Sequence, residues 1–372
     1  MDTSFGWSVT CNGTDGYLLS TSLRATQLWQ PQNFLTIGIQ RRLATTKNQP
    51  ASIFRKLKLT IPPQKAQYWR YWLRLAIFFT VTLVIALACL PLTLGALFMA
   101  GLLHTPCAES RMSPADYALT AESVSVPAQA GGAFRGYFIP GSNGATIIMP
   151  PPLASGRSVR LPQAAMLARH GYAILLFESR RCANLGPLSL GYREVDDVTD
   201  AVDYLVARQD VDPDRIGIHG FSSAGATSIM ATARLPVIRA VVAEGGYGHF
   251  ADSALGSPGE NVLTDYFLAL YRWATLETYR RITGLDVERL SPVSVIEQIA
   301  PRPILLIYGS LEVSLPGGRR QYVAAGSNAQ LWVVAGAGHG NYMSVAPEAY
   351  ESRIVTFFDK ALLTGAGEVR PP

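Results

Sequence analysis

Gly220-Phe221-Ser222-Ser223-Ala224 decides how this chain is read, because of what stands on either side of it. Arg215-Ile216-Gly217-Ile218-His219, just before, is a short apolar run of the kind that forms a buried strand. Gly225-Ala226-Thr227-Ser228-Ile229-Met230-Ala231, just after, is rich in small residues and reads as the first turns of a helix. A serine between a strand end and a helix start, with small residues two places away on both sides, has the pattern of a nucleophile elbow. The small neighbours are needed because the turn is sharp and larger side chains there would collide. The helix N-terminus then aims backbone N–H groups at any negative charge forming beside the hydroxyl. Ser223 fits the nucleophile position less well, since Phe221 would then stand two places before it. Small-residue turns of this kind also occur in unrelated α/β proteins, so the serine needs partners.

Around the elbow, residues 112–366 alternate strand-like and helix-like segments, which predicts an α/β fold with a mostly parallel central sheet and flanking helices. Strands are expected at Arg135–Ile139, Ala145–Met149, Ala173–Glu178, Arg215–Gly220, Ala240–Glu244, Pro303–Tyr308 and Gln330–Val334. Helices are expected at Leu161–His170, Arg193–Gln209, Ala224–Arg234 and Pro347–Leu363. Asp196, Asp197, Asp200 and Asp203 read as the solvated face of the second helix, whose Val195, Val198, Val202 and Leu205 turn inward. Residues 250–300 interrupt the alternation: Val262–Tyr279 is helix-like and aromatic, and the insertion reads as a small helical lid over a pocket or as ordinary connecting helices.

A serine hydroxyl attacks only when a base takes its proton and an acid holds that base in the right tautomer. In this architecture the acid and then the histidine follow the serine in the chain. His339 lies in Ala335-Gly336-Ala337-Gly338-His339-Gly340, directly after the last strand, free to swing over the elbow. His104, His170, His219 and His249 lack such a setting, and His170 and His219 read as structural or surface residues. Glu312 is the sole carboxylate of the 309–319 loop that follows Ile304-Leu305-Leu306-Ile307-Tyr308, the position expected for the acid. Glu244, ending the preceding strand, is the rival.

Ser222, Glu312 and His339, in that order and at those strand ends, resemble the α/β-hydrolase superfamily, over roughly residues 120–365. Gly136-Tyr137-Phe138-Ile139-Pro140 leading to Asn143-Gly144-Ala145, and Gly191-Tyr192-Arg193-Glu194-Val195-Asp196-Asp197 up to Asp212-Pro213, are similar to the membrane-anchored serine hydrolases of the Bem46-like and prolyl-oligopeptidase-like groups. The resemblance implies an acyl-enzyme mechanism with no cofactor and no metal. In that branch the acid is usually aspartate; glutamate keeps the charge and adds one methylene. Ala224 stands where glycine is usual. Met149-Pro150-Pro151-Pro152-Leu153 replaces a His-Gly pair and the oxyanion donor that follows it. Proline has no N–H, so the hole is expected to use Ser223 N–H and Leu153 N–H. Phe177-Glu178-Ser179-Arg180-Arg181-Cys182 replaces an Asp-x-Arg-Gly loop; its arginines either favour an anionic substrate or face solvent.

The chain has 372 residues, of which only 16% are charged, and its mean hydropathy is positive at +0.17. One segment accounts for much of this. Leu75–Leu103 has no Asp, Glu, Lys or Arg, whereas a bilayer core needs about 20 apolar residues. It is expected to be a transmembrane helix (75–103), with Pro91 tolerated as it is in membrane helices. A cleaved signal peptide would begin nearer the N-terminus and be shorter. Residues 1–74 form a basic N-terminal tail. Arg55, Lys56, Lys58, Lys65, Arg70 and Arg74 crowd that side of the span and Arg111 alone lies near the other. The positive-inside rule then places the N-terminus in the cytoplasm and the hydrolase domain outside it, with Tyr68, Trp69, Tyr71 and Trp72 at the inner interface. A pI near 9.0 thus reports a juxtamembrane patch facing lipid, not a nucleic-acid surface. Residues 1–54 show no sustained periodicity, and the Asn12-Gly13-Thr14 sequon would be silent on the cytoplasmic side. Cys107 and Cys182 share the outer side and are able to pair, although no motif supports it; Cys11 and Cys89 lie elsewhere.

The sequence therefore describes a membrane-anchored serine hydrolase cleaving a small-molecule acyl ester, thioester or peptide amide. The alternatives are a catalytically impaired hydrolase-fold binding protein, for which the triple proline speaks, and a serine aminopeptidase.

Overall fold

The computed structural model describes residues 63–253 and 261–364. The 1–54 tail, Cys11, the sequon, Arg55, Lys56 and Lys58, the Lys65 side chain and the last residues of the expected domain lie outside the described residues.

The domain is built on an eight-stranded sheet in the order β1-β2-β4-β3-β5-β6-β7-β8. Its strands are β1 (Glu122–Pro127), β2 (Ala133–Ile139), β3 (Thr146–Met149), β4 (Ala173–Phe177), β5 (Ile216–Phe221), β6 (Ile238–Glu244), β7 (Ile304–Gly309) and β8 (Ala329–Val334). β2 runs antiparallel to both β1 and β4, and from β4 to β8 every pairing is parallel. The seven expected strands all form, each end within two residues of its expected place. Their legibility has a cause. A parallel sheet covered on both faces needs continuous apolar strands, and β3, β4 and β7 are buried at every position.

The helices are α1 (Pro63–Leu103), α2 (Leu161–Arg169), α3 (Tyr192–Val206), α4 (Ser223–Arg234), α5 (Phe250–Ser253), α6 (Val262–Thr283), α7 (Leu315–Ala325), α8 (Tyr342–Val345) and α9 (Pro347–Phe358). One apolar core fills the sheet face under α3 and α4, and a second fills the face under α2 and α9. Besides the single-turn helices α5 and α8, two elements escaped the sequence. β1 is an edge strand with only Val124 and Val126 buried, too brief an alternation to stand out. α7 begins Leu315-Pro316-Gly317-Gly318, against helix propensity, because a Cβ at Gly318 would run into the Tyr308 ring of β7.

The aspartates of α3 need a correction. Asp196 is exposed and pairs with Arg234 at 2.6 Å, but Asp197 and Asp200 are buried. Asp197 takes a two-pronged bond from Arg180, at 2.6 and 3.0 Å, and Asp200 accepts from Gln129 N–H at 3.2 Å. Arg180 is therefore an internal tie and not a solvent-facing charge, and Arg181 Nε donates to Thr105 O at 3.3 Å. Cys107 and Cys182 form a disulfide that joins the end of α1 to the loop after β4.

Within α1, Gln67–Leu103 is long and apolar enough to cross a membrane by length and composition. The helix is not uniform. Tyr68 to Leu90 is almost wholly exposed, whereas Pro91, Gly95, Met99 and Leu103 are buried at helical spacing. They meet α6: Thr275 Oγ1 donates to Gly95 O at 3.3 Å, and the Phe98 and Tyr271 rings lie 6.1 Å apart. Any side chain at Gly95 would strike the Tyr271 carbonyl. Small residues at such crossings let helix backbones approach closely.

Candidate active site

Ser222 stands between β5 and α4 with φ 58° and ψ −126°, a conformation that costs a non-glycine residue energy. The surroundings hold it there. Ser222 N–H donates to Glu244 O at 2.7 Å, pinning the turn to the end of β6. A Cβ at residue 220 would overlap the Ala224 carbonyl, so glycine is required, while the Ala224 methyl itself is accommodated and buried.

His339, on the loop after β8, reaches the serine. Its Nε2 accepts from Ser222 Oγ at 3.0 Å and its Nδ1–H donates to Glu312 Oε1 at 2.6 Å. Three loops at the C-terminal ends of β5, β7 and β8 thus bring Ser222, Glu312 and His339 into one chain of hydrogen bonds.

Glu312 is buried, but it is well partnered. Ser314 Oγ donates to Oε1 at 2.9 Å; Gly309 N–H and Tyr342 Oη–H donate to Oε2, each at 2.7 Å. Burial alone would raise its pKa; the bonds from His339, Gly309 N–H, Tyr342 and Ser314 outweigh burial and hold the carboxyl below its ordinary value. The acid therefore stays ionised and fixes the imidazole tautomer whose Nε2 can accept a proton.

The rival, Glu244, points the other way. Its Oε1 accepts from His219 Nε2–H at 2.8 Å and from Tyr350 Oη–H at 2.5 Å, and its Oε2 lies 3.2 Å from Arg160 Nη1. His219 is fully buried, and desolvation lowers its pKa, so it stays neutral beside the Arg160–Glu244 ion pair. His170 binds Glu351 at the surface, and His104 Nδ1–H bonds Ala100 O on its own helix.

The two expected oxyanion donors also sit at the elbow. Ser223 opens α4, so its N–H has no partner four residues back. Leu153, with φ 45°, donates its N–H to Ser223 Oγ at 2.9 Å. The first N–H after the three prolines is thus spent on the Ser223 hydroxyl, which must turn away before that N–H can meet an oxyanion. Beside these amides lies a small cavity walled by Leu153, Leu188 and Leu190 and also by Arg180, Glu194 and Asp197.

Four contributors were not read from the sequence. Tyr342 and Ser314 steady the acid. Phe221, on the elbow itself, lies with its ring 4.8 Å from that of His339. Gly245 has φ +59°, and a Cβ there would stand 2.5 Å from Tyr342 Oη, 2.7 Å from Glu312 Oε1 and 3.0 Å from His339 Cε1. Gly245→Ala is accordingly expected to lower kcat by about 10²-fold or more, since displacing catalytic groups by ~1 Å costs that much. Steady-state kinetics check this; an unchanged kcat would mean the neighbours give way freely. The Gly-Gly pair 245–246 after a strand was the available signal, but it identifies no partner.

Residues 165–364 match the prolyl oligopeptidase family, and the chain belongs to it. The uncharacterized protein YfhR of Escherichia coli O157:H7 is 25% identical over 255 residues, covering 65% of this chain and 82% of its own length. The same protein of strain K12 is 27% identical over 206 residues, 53% of this chain and 65% of that one. The Pyrococcus furiosus esterase Pf2001 superposes with a TM-score of 0.53 at 22% identity, over 69% of this chain and 99% of the esterase. A Mycobacterium tuberculosis puromycin-hydrolyzing peptidase gives 0.51 at 18% identity, over 68% of this chain and 41% of that one. At these identities the superpositions speak for the fold. This chain is a hydrolase of the α/β type.

Proposed function

We propose that the protein is a membrane-anchored serine hydrolase that cleaves a carboxylic ester through an acyl-enzyme, with its catalytic domain outside the cytoplasm. The observation that carries it is the pair of hydrogen bonds running from Ser222 Oγ through His339 to Glu312. Ser222 Oγ bonds the acyl carbon as His339 Nε2 takes its proton, and the same nitrogen returns that proton to the departing alcohol oxygen as its bond to carbon breaks. Water then attacks the acyl-enzyme by the same route and releases the acid. Ser223 N–H and Leu153 N–H hold the oxyanion, each worth on the order of 10²–10³ in rate. The complete hydrogen-bonded triad weighs against an idle binding protein. The cavity wall combines Leu153, Leu188 and Leu190 with Arg180, Glu194 and Asp197, whose charges are paired with one another, and similar folds include both an esterase and a peptidase.

Anchoring rests on the exposed, uncharged length of α1. Orientation rests on the basic residues before it and on the Cys107–Cys182 disulfide, which suits an oxidising compartment. Incubation with a fluorophosphonate probe followed by peptide mapping is expected to place the adduct on Ser222, with p-nitrophenyl esters turned over faster than aminoacyl arylamides. An adduct elsewhere would overturn the assignment of the nucleophile, and the reverse substrate order would make the enzyme an aminopeptidase.

A further inference from the structure

The second helix packed on α1 leaves its first half bare. Val262 is 84% and Leu263 80% exposed, with Tyr266 and Trp273 also turned outward. Two tie points fix the direction of α6. Near its middle, Thr275 bonds Gly95 O. Near its end, Tyr279 Oη–H donates to Ser189 O at 2.7 Å, while the adjoining Leu188 N–H donates to Leu103 O at 3.0 Å. Both helices therefore descend together and meet the hydrolase domain at their C-terminal ends. With 1.5 Å of rise per residue, Val262 lies about 20 Å along the helix from Thr275, beside the exposed apolar middle of α1.

Charge follows the same division. From Val262 to Tyr271 the sole acidic or basic side chain is Asp265, in the first turn where helix N–H groups favour a carboxyl. Arg272 closes the first half and Glu277, Arg280 and Arg281 fall in the second, with Trp273 at the divide, where an interfacial tryptophan belongs. The buried cluster that holds Met99, Leu103 and Tyr279 together also contains Leu188 and Leu190. Those leucines wall the cavity beside Ser223. A buried apolar core thus joins the C-terminal end of the helix pair to one wall of the cavity at the elbow, which sets the site at the membrane-facing end of the domain.

We infer that the first half of α6 enters the outer leaflet of the bilayer that α1 spans, and that the substrate is an acyl ester carried by a membrane lipid. This rests on the anchored-hydrolase proposal above and adds where the mouth of the site lies and what it takes in. The reaction needs only water: the ester's acyl–oxygen bond breaks and a free fatty acid and a lipid alcohol leave.

The test uses the full-length chain, with Cys11→Ser and Cys89→Ser and the disulfide kept, in phosphatidylcholine–phosphatidylglycerol vesicles. A fluorophore is attached at Leu263→Cys, Ile85→Cys or Tyr322→Cys in turn. Lipid spin-labelled on the acyl chain is expected to quench the probes at 263 and 85 to a similar depth, and to leave the one at 322 unquenched. Quenching at 85 without quenching at 263 overturns the inference and leaves the anchor standing; no quenching at 85 removes the anchor itself. A probe at 263 that is shielded only as protein concentration rises marks a contact between copies and also overturns it. In parallel, Val262→Asp/Leu263→Asp is compared with wild type on monooleoylglycerol in vesicles and on soluble p-nitrophenyl acetate, with fluorophosphonate labelling confirming the fold. The vesicle-to-soluble turnover ratio is expected to fall at least tenfold, and an unchanged ratio refutes the lipid substrate. If wild type hydrolyses neither ester, the catalytic proposal is what fails, and the quenching still decides the insertion.

Discussion

Ser222→Ala is expected to lower ester turnover by about 10⁴–10⁶-fold, the cost seen when a nucleophile that works as a unit with its base is removed. The oxygen that makes the new bond is gone, and His339 Nε2, 3.0 Å from it, has no proton to take. Residual catalysis above water remains, because Ser223 N–H, Leu153 N–H and the cavity are untouched. The fold is expected to persist. The backbone bond from residue 222 N–H to Glu244 O does not involve the side chain, and alanine bears the same positive φ as serine. The check is kcat on a soluble ester beside a thermal melt of each form. A loss below tenfold would show that another group is the nucleophile.

Glu312→Gln comes next in size, at about 10⁴-fold in kcat, as expected when the acid of a triad becomes an amide and the imidazole settles in the wrong tautomer. The environment makes this severe. His339 Nδ1–H and Ser314 Oγ donate to Oε1 while Gly309 N–H and Tyr342 donate to Oε2. An amide NH₂ on one side faces Gly309 N–H and on the other forces the imidazole into its other tautomer, so either placement disturbs the buried network. Stability changes with pH in a defined direction. The folded carboxyl titrates below its ordinary value, so its ionised form stabilises the protein at and above the ordinary carboxylate range. That contribution is lost as pH falls through the lowered folded value. The melting-temperature gap between wild type and Glu312→Gln should therefore narrow from about pH 7 down to about pH 3. A gap independent of pH would mean the carboxyl titrates alike in the folded and unfolded chains, and one that widens as pH falls would mean that folding holds it neutral.

Much of this site could be read without coordinates because its parts are local. A nucleophile elbow needs small residues at 220 and 224, a catalytic imidazole on a short loop needs glycines around it, and an acid after β7 had no competitor within its own loop. What supports those groups was not legible. Tyr342, Ser314 and Gly245 act by approaching Glu312 through space, and nothing in their own neighbourhoods announces a partner. The same holds for Asp197. A polar residue on a helix pattern reads as solvated, and only the arrival of Arg180 from the loop after β4 makes its burial tolerable.

By itself the sequence determined the order of strands, the chemistry at three strand ends and an uncharged run long enough for a bilayer, because each is a matter of periodicity or composition within one segment. The tertiary structure alone decided that Cys107 meets Cys182, that Glu244 faces Arg160 and His219, and that α6 runs beside α1 toward the pocket. Those are pairings between segments far apart in the chain. They depend on how packed faces fit together, which no single stretch of residues encodes.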